Sequence, residues 1–555
     1  MVWGETTRSN DEVVNYAALR ALVIDDYPGM RSALKLTLSN FGVTKIQMAA
    51  SAAEAITRIK NNVFDFILCD FNLGDGRDGQ QLLEELRHRG MIQLETVFIM
   101  VTAESIYEKV AATAELAPDD YMIKPFNAEM LRNRLEGILL RKLAFKEIYS
   151  DYAEHRLEAA MAGCDRLITS KPKYLVDALR FKGELLNLMG RFEEAEALYK
   201  QIINMRAIPW ARLGLAKSLH MQQKDAEAEE ELRDVLELAP EMVAAYDLLA
   251  NVRLANKDSA GAQAALQQAV GISGKTVRRQ QKLGEVAHAN GDLECARNAY
   301  AAALEKGRHS VFVTPADYGN LCQVQLEQGD LKAVAETLKN AKHTLQASLD
   351  GQLVMAVVQS VAQQQSGRPA ESAKFLQEAA RLRADGAHAE APLLLQMAAT
   401  YMADGEHEAA DQIIGEVARN AHDSETLLNK AKQIYLAAGR EEAGASLLKA
   451  ATADVRKLNN DGVMLAQKGD FQQAVEKLLS ACEEAPHNPR IILNAVWVIL
   501  KCLDQQGMDE ALLEEARRRL GEAERQSPGH SRIAGLRLHM KEIENKYGIR
   551  RKATS

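Results

Sequence analysis

Cysteine is scarce in this 555-residue chain, and the six cysteines show no C-x-x-C motif and no paired spacing. Such spacings mark zinc sites and disulfide frameworks, so we expect buried thiols in a reducing compartment. HExxH and GxSxG motifs are also missing, which leaves a zinc protease or a serine hydrolase without support.

Long apolar segments and an excess of positive charge are missing as well. The longest apolar stretch, Ile491–Leu503, is interrupted by Asn494 and Lys501 and is shorter than the ~20 residues of a membrane-spanning helix. Residues 1–15 lack the apolar core of a signal peptide. The net charge of −9 provides no broad basic field for nucleic acid or an anionic membrane. We therefore expect a cytoplasmic protein whose partners are neither nucleic acids nor membranes.

The first 141 residues alternate between two patterns. Short apolar runs predict five strands: Ala21–Ile24, Lys45–Ala49, Phe66–Asp70, Thr96–Val101 and Tyr121–Ile123. Apolar residues at helical spacing predict five helices: Pro28–Phe41, Ser51–Lys60, Gln80–His88, Ser105–Leu116 and a last helix capped by Asn127. This alternation predicts a five-stranded, doubly wound parallel sheet of the α/β class.

Polar side chains stand at the ends of four of these strands: Asp25, Asp26, Asp70, Thr102 and Lys124. Open α/β sheets place their chemistry at this carboxyl edge. Three neighbouring carboxylates repel one another and favour a hard cation such as Mg²⁺, whereas a lysine and a hydroxyl suit a phosphoryl group. An aspartate nucleophile in such a site could accept phosphoryl as an acyl phosphate. The alternative is a solvated cluster of strand-end acids.

As a set, these residues resemble the receiver domain of two-component response regulators. The resemblance spans residues 20–141 and includes, in order, Asp25-Asp26, Asp70, Gly79, Thr102, Tyr121 and Lys124-Pro125-Phe126. It implies a flavodoxin-like fold in which Asp70 takes a phosphoryl group from a histidine kinase or a phosphotransfer protein.

The resemblance also implies a role for each residue around Asp70. Mg²⁺ would be ligated by Asp26, Asp70 and the backbone carbonyl of Asn72, with Asp25 acting through water. Lys124 would pair with the acyl phosphate. No enzymatic activity is expected beyond this Mg²⁺-dependent self-phosphorylation and autodephosphorylation.

A switch is implied as well. Thr102 would move toward the phosphate and let Tyr121 turn inward, which would shift the surface of the last two helix–strand units. The Lys124–Pro125 peptide bond is expected to be cis. The family usually has proline four residues beyond the phospho-acceptor, where this chain has Gly74 in a longer loop. We expect this departure to affect phosphoryl lifetime rather than phosphorylation itself.

That loop spells G-x-G-x-x-G over residues 74–79, the fingerprint of dinucleotide-binding folds. Here the motif follows the third strand instead of the first, and Asp75 and Asp78 would repel a pyrophosphate. A dehydrogenase is therefore disfavoured.

Beyond Arg141 the strand patterns end and a repeat begins. A glycine, a small residue five positions later and a large residue one turn further recur, as in Gly190–Tyr199 and Gly291–Tyr300. The small residue stands at 195, 228, 262, 296, 334, 372, 410, 444 and 474. This phrase and its spacing resemble tetratricopeptide repeats (TPRs), in which the glycine would end the first helix of a pair. The copies at 228 and 262 lack the glycine, and a weaker copy lies at Ala160.

The steps of 38 residues in the middle of the array predict longer helices or loops there. We expect a polar tail at 1–17, a receiver at 18–141, a linker helix and first helical pair at 142–172, TPR-like repeats at 173–530, and a capping helix with a tail at 531–555. The last receiver helix should continue into Lys142–Tyr149 with little or no break. Together these regions predict an α/β receiver followed by an all-α solenoid.

The favoured hypothesis is a response regulator in which phosphorylation of Asp70 gates the binding of a protein partner in the groove of the repeats. One alternative makes the receiver a phosphoryl sink for a histidine kinase, beside a constitutive TPR scaffold. Another is a structural scaffold that dimerises through the receiver.

Overall fold

The computed structural model describes residues 14–549 except 75–76, 104–117, 207, 275, 309 and 527–530. The predicted helix Ser105–Leu116 and most of both tails lie outside the described residues. The chain divides into two compact units, one reaching Asn290 and including Ala302–Val313, the other made of Gly291–Ala301 and the residues from Thr314 onward. In the described part of the chain, every helix is too short or too polar to cross a membrane.

A five-stranded parallel sheet forms the start of the first unit. Its strands are β1 Arg20–Ile24, β2 Lys45–Ala49, β3 Phe66–Asp70, β4 Val97–Thr102 and β5 Asp120–Ile123. They pair in the order β2-β1-β3-β4-β5, with all pairs parallel. This is the doubly wound order in which ligands bind where the connections diverge, outside the carboxyl ends of β1 and β3. The predicted sheet is confirmed.

Helices cover both faces of the sheet: α1 Pro28–Asn40, α2 Ala52–Asn61, α3 Gly79–His88 and α4 Ala128–Ala144. Along β3, Phe66 and Leu68 pack into one core with α1 and α4, while Ile67 and Cys69 pack into another with α2 and α3. Because both faces are buried, nearly every residue of the central strands is apolar. The first polar residue of β3 is therefore its last, Asp70.

After the sheet, the regular elements of the described residues are helices. Their bounds are α5 Lys146–Ala153, α6 Leu157–Ser170, α7 Leu175–Leu188, α8 Phe192–Met205, α9 Pro209–Met221, α10 Asp225–Leu238, α11 Val243–Ala255, α12 Ser259–Ile272, α13 Val277–Ala289, α14 Leu293–Lys306, α15 Pro315–Glu327, α16 Leu331–Gln346, α17 Leu349–Gln365, α18 Pro369–Ala384, α19 Ala391–Ala403, α20 His407–Asn420, α21 Glu425–Ala437, α22 Glu441–Gln467, α23 Phe471–Glu484, α24 Pro489–Gln506, α25 Glu510–Gln526 and α26 Ser531–Lys546. These 22 helices form the predicted all-α, repeat-like region.

A left-handed residue marks the turn of each predicted repeat. The residues at this position have φ between 58° and 84°: His155, Gly190, Gln223, Lys257, Gly291, Gly329, Gly367, Gly405, Gly439 and Gly469. Five residues after each lies a buried residue: Ala160, Ala195, Ala228, Ala262, Ala296, Val334, Ser372, Ala410, Gly444 and Ala474. The turn geometry is therefore kept even in the three copies without glycine, including the one at Ala160.

The irregular steps of the repeat have two structural causes. The 38-residue steps contain longer helices or longer connections: α16, α17 and α18 have 16, 17 and 16 residues against 13 or 14 in α7 to α14. The step from 296 to 334 contains the long connection 307–314 between α14 and α15 instead. The 30-residue step coincides with α22, a single helix of 27 residues that carries both the second helix of one repeat and the first helix of the next. The predicted lengthening is confirmed, and it lies partly in the helices and partly in the connections 307–314 and 385–390.

Replacing a left-handed non-glycine residue by glycine should stabilise the array. Gln223 has φ 63°, a conformation that costs a side chain about 1 kcal/mol and costs glycine little. We expect Gln223→Gly to raise the free energy of unfolding by about 0.5–1 kcal/mol, measured as a shift in the urea midpoint of the full chain. Gln222→Gly is the matched control, because Gln222 has φ −85°. A Gln223→Gly variant less stable than the wild type would contradict this assignment.

The sheet domain and the helical region are joined almost without a break. Phe145 alone separates α4 from α5, and its φ of −92° and ψ of 0° keep it in the right-handed helical region. Arg141 pairs with Asp177 of α7 at 3.3 Å, and Phe145 packs edge-on against Phe181 of the same helix. The nearly continuous helix predicted from the sequence is present.

Candidate functional site

Three carboxylates meet at the carboxyl edge of the sheet. Asp25 follows β1 directly and is 1% exposed, Asp26 is exposed, and Asp70 ends β3. One oxygen from each side chain lies within 4.8 Å of the other two. The parallel pairing of β1 with β3 brings these residues together, since Ile24 pairs with Cys69, one residue before each acid.

Lys124 supplies the positive charge of the cluster. Its Nζ lies 3.0 Å from Asp70 Oδ1 and 3.3 Å from Asp25 Oδ2. Burial raises the pKa of Asp70, although the hydrogen bond and charge of Lys124 act in the opposite direction. Burial also disfavours the Lys124 ammonium, but the hydrogen bond and charge of Asp70 and the charge of Asp25 outweigh it, so the pKa of Lys124 is raised. The ammonium is thus held charged against the carboxylates.

The backbone around Asp25 is fixed by bonds that the sequence did not suggest. The Tyr27 backbone N–H donates to Asp25 Oδ1 at 2.8 Å. Arg31 reaches back from α1 and donates to the backbone carbonyls of Asp25 and Asp26, at 2.6 and 3.0 Å. Asp25 therefore has one oxygen held by a backbone amide and the other by Lys124.

The loop after β3 runs close to the acids. Asn72 lies two residues beyond Asp70, and its side-chain oxygen accepts a hydrogen bond from the backbone N–H of Gly74 at 3.3 Å. Gly74 has φ +77°, and a Cβ there would lie 3.2 Å from Asp26 Oδ2. Proline cannot adopt a positive φ. The backbone conformation of Gly74 is therefore one that the proline usual in the family could not adopt.

Helix α3 starts directly against strand β3, which ends at Asp70. The Gly79 N–H donates to the carbonyl of Phe71 at 2.8 Å. A Cβ at Gly79 would overlap the backbone carbonyl of Asp70 and lie 2.8 Å from Met100 Sδ and 3.1 Å from Cys69 Sγ. Glycine is therefore required at position 79, because the backbone of α3 approaches the backbone of Asp70 closely there.

Two further pairs anchor this helix. Asp78 and Gln81 form a reciprocal capping box at the start of α3. Arg77, at the end of the loop, forms an ion pair with Glu85, whose side chain is 3% exposed. The sequence alone does not indicate this pair, because Arg77 and Glu85 are eight residues apart and only the fold brings them together.

The two residues with an implied switching role lie beside the cluster. Thr102 ends β4 and is 2% exposed. Tyr121 on β5 is 7% exposed, and its hydroxyl donates to Gln80 Oε1 of α3 at 3.4 Å. Burial raises the pKa of Tyr121. The Lys124–Pro125 peptide bond is cis, as expected.

The donor set fits a hard divalent cation. Carboxylate oxygens are the ligands that Mg²⁺ prefers, and one lysine cannot neutralise three acids. A carboxylate beside a metal site and an ammonium group can accept and hold a phosphoryl group. A doubly wound sheet with this chemistry at its carboxyl edge defines the class of flavodoxin-like signalling receivers.

Comparison with known proteins identifies the family. A family model of the response regulator receiver domain matches residues 21–136. Chemotaxis protein CheY-3 of Vibrio cholerae serotype O1 is 31% identical over 123 residues, which cover 22% of this chain and 93% of that protein. Chemotaxis protein CheY of Pseudomonas aeruginosa is 30% identical over 123 residues, 98% of its length. The chain therefore belongs to the response-regulator family and carries a receiver domain of two-component signalling.

Solved structures resemble the same part of the chain. The chemotaxis response regulator CheY4 of Vibrio cholerae is 26% identical, and the match covers 22% of this chain and 98% of that one, with a TM-score of 0.20. A CheY-like receiver domain from Methanospirillum hungatei is 28% identical, with coverage of 22% and 95% and a TM-score of 0.20. The family model ends at residue 136, before helices α5 to α26 begin.

Proposed function

We propose that this protein is a phosphorylation-controlled adaptor. Asp70 accepts a phosphoryl group from a histidine kinase or a phosphotransfer protein, and its phosphorylation state controls the binding of a protein partner by the helical region. The observation that carries the proposal is the geometry at Asp70, whose carboxylate lies 3.0 Å from the Lys124 ammonium and within the cluster of three acids.

The proposed chemistry is a displacement at phosphorus. A carboxylate oxygen of Asp70 attacks the phosphorus of a phosphohistidine, an O–P bond forms, and the P–N bond breaks. The imidazole nitrogen leaves with the bonding electron pair and takes a proton from water. Water later attacks the same phosphorus and releases inorganic phosphate, which restores the Asp70 carboxylate. We propose no further enzymatic activity.

The neighbouring residues stabilise the charge of the phosphoryl group. Asp25, Asp26, Asp70 and the backbone carbonyl of Asn72 would hold Mg²⁺, which supplies electrostatic stabilisation of the phosphoryl oxygens. Lys124, now shared between Asp70 and Asp25, can transfer a hydrogen bond to a phosphoryl oxygen. The Thr102 hydroxyl is placed at the same edge and is proposed to donate to that group too.

The output is proposed to be a TPR-like array. The support is the recurring unit, in which a left-handed residue precedes a buried residue by five positions in ten successive copies, and this buried residue is Ala, Ser or Gly in nine of them. Paired helices that stack in this way present an extended concave surface suited to a peptide or helix of another protein. A phosphoryl sink with a constitutive array is the alternative, and it predicts that partner binding ignores the state of Asp70.

Phosphorylation should depend on Asp70 and on Mg²⁺. We expect the full chain, incubated with acetyl phosphate and Mg²⁺, to gain one phosphoryl group in an intact-mass spectrum. Asp70→Asn should gain none, and removal of Mg²⁺ with a chelator should abolish the adduct, because the acids then repel the donor. Glu129→Gln, which changes one exposed acid on α4, is the control that should behave as the wild type.

An adduct that forms equally in Asp70→Asn would place the phosphoryl group elsewhere and contradict the proposal. A complete absence of the adduct in the wild type, with an active donor shown on another receiver, would mean that the acidic cluster no longer accepts phosphoryl.

A further inference from the structure

Helix α3 of the receiver has a second neighbour besides the phosphorylation site. The segment that follows α14, whose described residues are Gly307, Arg308 and Ser310–Val313, lies in the same compact unit as the sheet. Lys306 at its start and Phe312 near its end contact one face of α3. The contacts of that face come from Gln81, Glu84 and His88, which are spaced three and four residues apart and so share one side of the helix.

Gln81 makes the shortest of these contacts. Its Nε2 donates to the backbone carbonyl of Lys306 at 2.7 Å. Lys306 is the last residue of α14, where helix carbonyls lack partners within the helix. A receiver side chain therefore satisfies the C-terminal end of a helix that is more than 200 residues away in the chain.

Aromatic and charged groups complete the contact. The His88 ring meets the Phe312 ring edge-on, with centroids 5.0 Å apart. The guanidinium of Arg278, a residue of α13, lies 4.2 Å from the centroid of the Phe312 ring. Arg278 also interacts electrostatically with Glu84 of α3. Burial raises the pKa of Glu84, and the positive charge of Arg278 acts in the opposite direction. The contact thus combines a hydrogen bond, a ring pair and opposite charges.

The segment is itself held on α13. Gln281 donates to the carbonyl of Phe312 at 2.9 Å, and Lys306 Nζ donates to the carbonyl of Gly274 at 2.9 Å. Gly307 fits closely against Val277, since a Cβ there would lie 2.9 Å from the Val277 side chain. A displacement of α3 would therefore disturb its contacts with the segment after α14, which is itself bonded to the helical region.

The Gln81 amide also contacts the loop that joins β3 to α3, which we call the phosphorylation loop. While its nitrogen donates to Lys306, its Oε1 accepts from the backbone N–H of Asp78 at 3.1 Å. Asp78 is the last loop residue before α3, and its negative charge acts on Cys69, the neighbour of Asp70. One side chain thus connects the end of the phosphorylation loop to the end of α14.

We propose that Lys306, Phe312 and Arg278 form an intramolecular docking site for receiver helix α3, and that phosphorylation of Asp70 releases this contact. The release rests on the proposed function. A phosphoryl group adds about −1.5 to −2 charges beside Asp70. It repels the Asp78 carboxylate that caps α3, and the Tyr121 hydroxyl, held by Gln80 next to Gln81, is expected to move with the switch. Both changes act on the capping box that orients the Gln81 amide.

Gln81→Glu separates the two bonds of that side chain. Glutamate keeps an acceptor for the Asp78 N–H but loses the donor to the Lys306 carbonyl, so α3 should stay capped while the contact is lost. In hydrogen-exchange mass spectrometry of the full chain, we expect the amides of Gly307–Val313 to exchange roughly 3- to 10-fold faster, the factor that loss of one hydrogen bond carries. Phe312→Ala, on the other side of the contact, should accelerate exchange in α3. Gln93→Glu, an exposed receiver residue, is the matched control.

Phosphorylated wild type should show the same acceleration at Gly307–Val313, and Asp70→Asn treated with acetyl phosphate should not. Unchanged exchange in Gln81→Glu would overturn the docking site. Unchanged exchange in wild type that carries the adduct by intact mass would overturn its release by phosphorylation. If the wild type forms no adduct at all, the proposed function fails together with its control of the contact, while Gln81→Glu still decides whether the docking site exists.

Discussion

Replacing Lys124 by methionine is expected to destabilise the receiver strongly in Mg²⁺-free buffer. The substitution removes the ammonium group that faces Asp70 and Asp25, whose side chains are 12% and 1% exposed. Buried carboxylates left without a cation cost several kcal/mol, and we expect the free energy of unfolding to fall by about 2–4 kcal/mol. Added Mg²⁺ should restore most of this loss, since it binds the same oxygens. The phosphorylation rate should fall about 100-fold even with Mg²⁺, because a preorganised positive charge is gone.

Urea unfolding read by hydrogen exchange in β3 and β4 measures this loss within the receiver. Lys35→Met is the control, because it removes a lysine that is exposed on α1. A Lys124→Met variant as stable as Lys35→Met without Mg²⁺ would show that Lys124 does not balance the acidic cluster.

Gly79→Ala should damage both the fold and the chemistry of the receiver. The added Cβ overlaps the Asp70 carbonyl and crowds Met100 Sδ at 2.8 Å, so either α3 or the end of β3 must shift. Overpacking of this kind costs about 1–3 kcal/mol. Because the displaced group is the backbone of Asp70, the proposed phospho-acceptor, we expect the rate of adduct formation to fall about 10- to 100-fold.

Gly137→Ala provides the matched control for this substitution. Gly137 lies in the interior of α4 and a Cβ there would meet nothing within 4 Å, so alanine should stabilise the helix by about 0.5–1 kcal/mol. Equal adduct formation and equal stability in Gly79→Ala and the wild type would contradict the close seating of α3 on Asp70.

The receiver sheet could be predicted from the sequence because its signals are local. Buried parallel strands appear as short apolar runs, and four of the five runs end at a polar residue of the carboxyl edge, as Phe66–Asp70 does. Once the topology is parallel, the meeting of Asp25, Asp26 and Asp70 follows from the strand ends. The repeats were predictable for the same reason, since glycine and the small residue five positions later recur along the chain.

Contacts that depend on distant parts of the chain were not predictable. The left-handed conformation of Gln223 has no glycine in the sequence to indicate it. Arg77 pairs with Glu85, eight residues further along the chain, only in the folded structure. Gln81 looks like an ordinary capping residue, and nothing in the local sequence indicates that its nitrogen meets Lys306. Pairings of this kind are set by packing rather than by propensity.

The most direct measurement compares the partners bound by the full chain in its two phosphorylation states. Wild-type protein with and without a verified phosphoryl adduct, and Asp70→Asn treated identically, would be used to capture proteins from a cell extract, with the captured set quantified by mass spectrometry. We predict that the adduct changes the captured set and that Asp70→Asn retains the unphosphorylated set. An adduct on Asp70 that leaves the captured proteins unchanged would contradict phosphorylation control of the helical region and would favour a phosphoryl sink beside a constitutive scaffold.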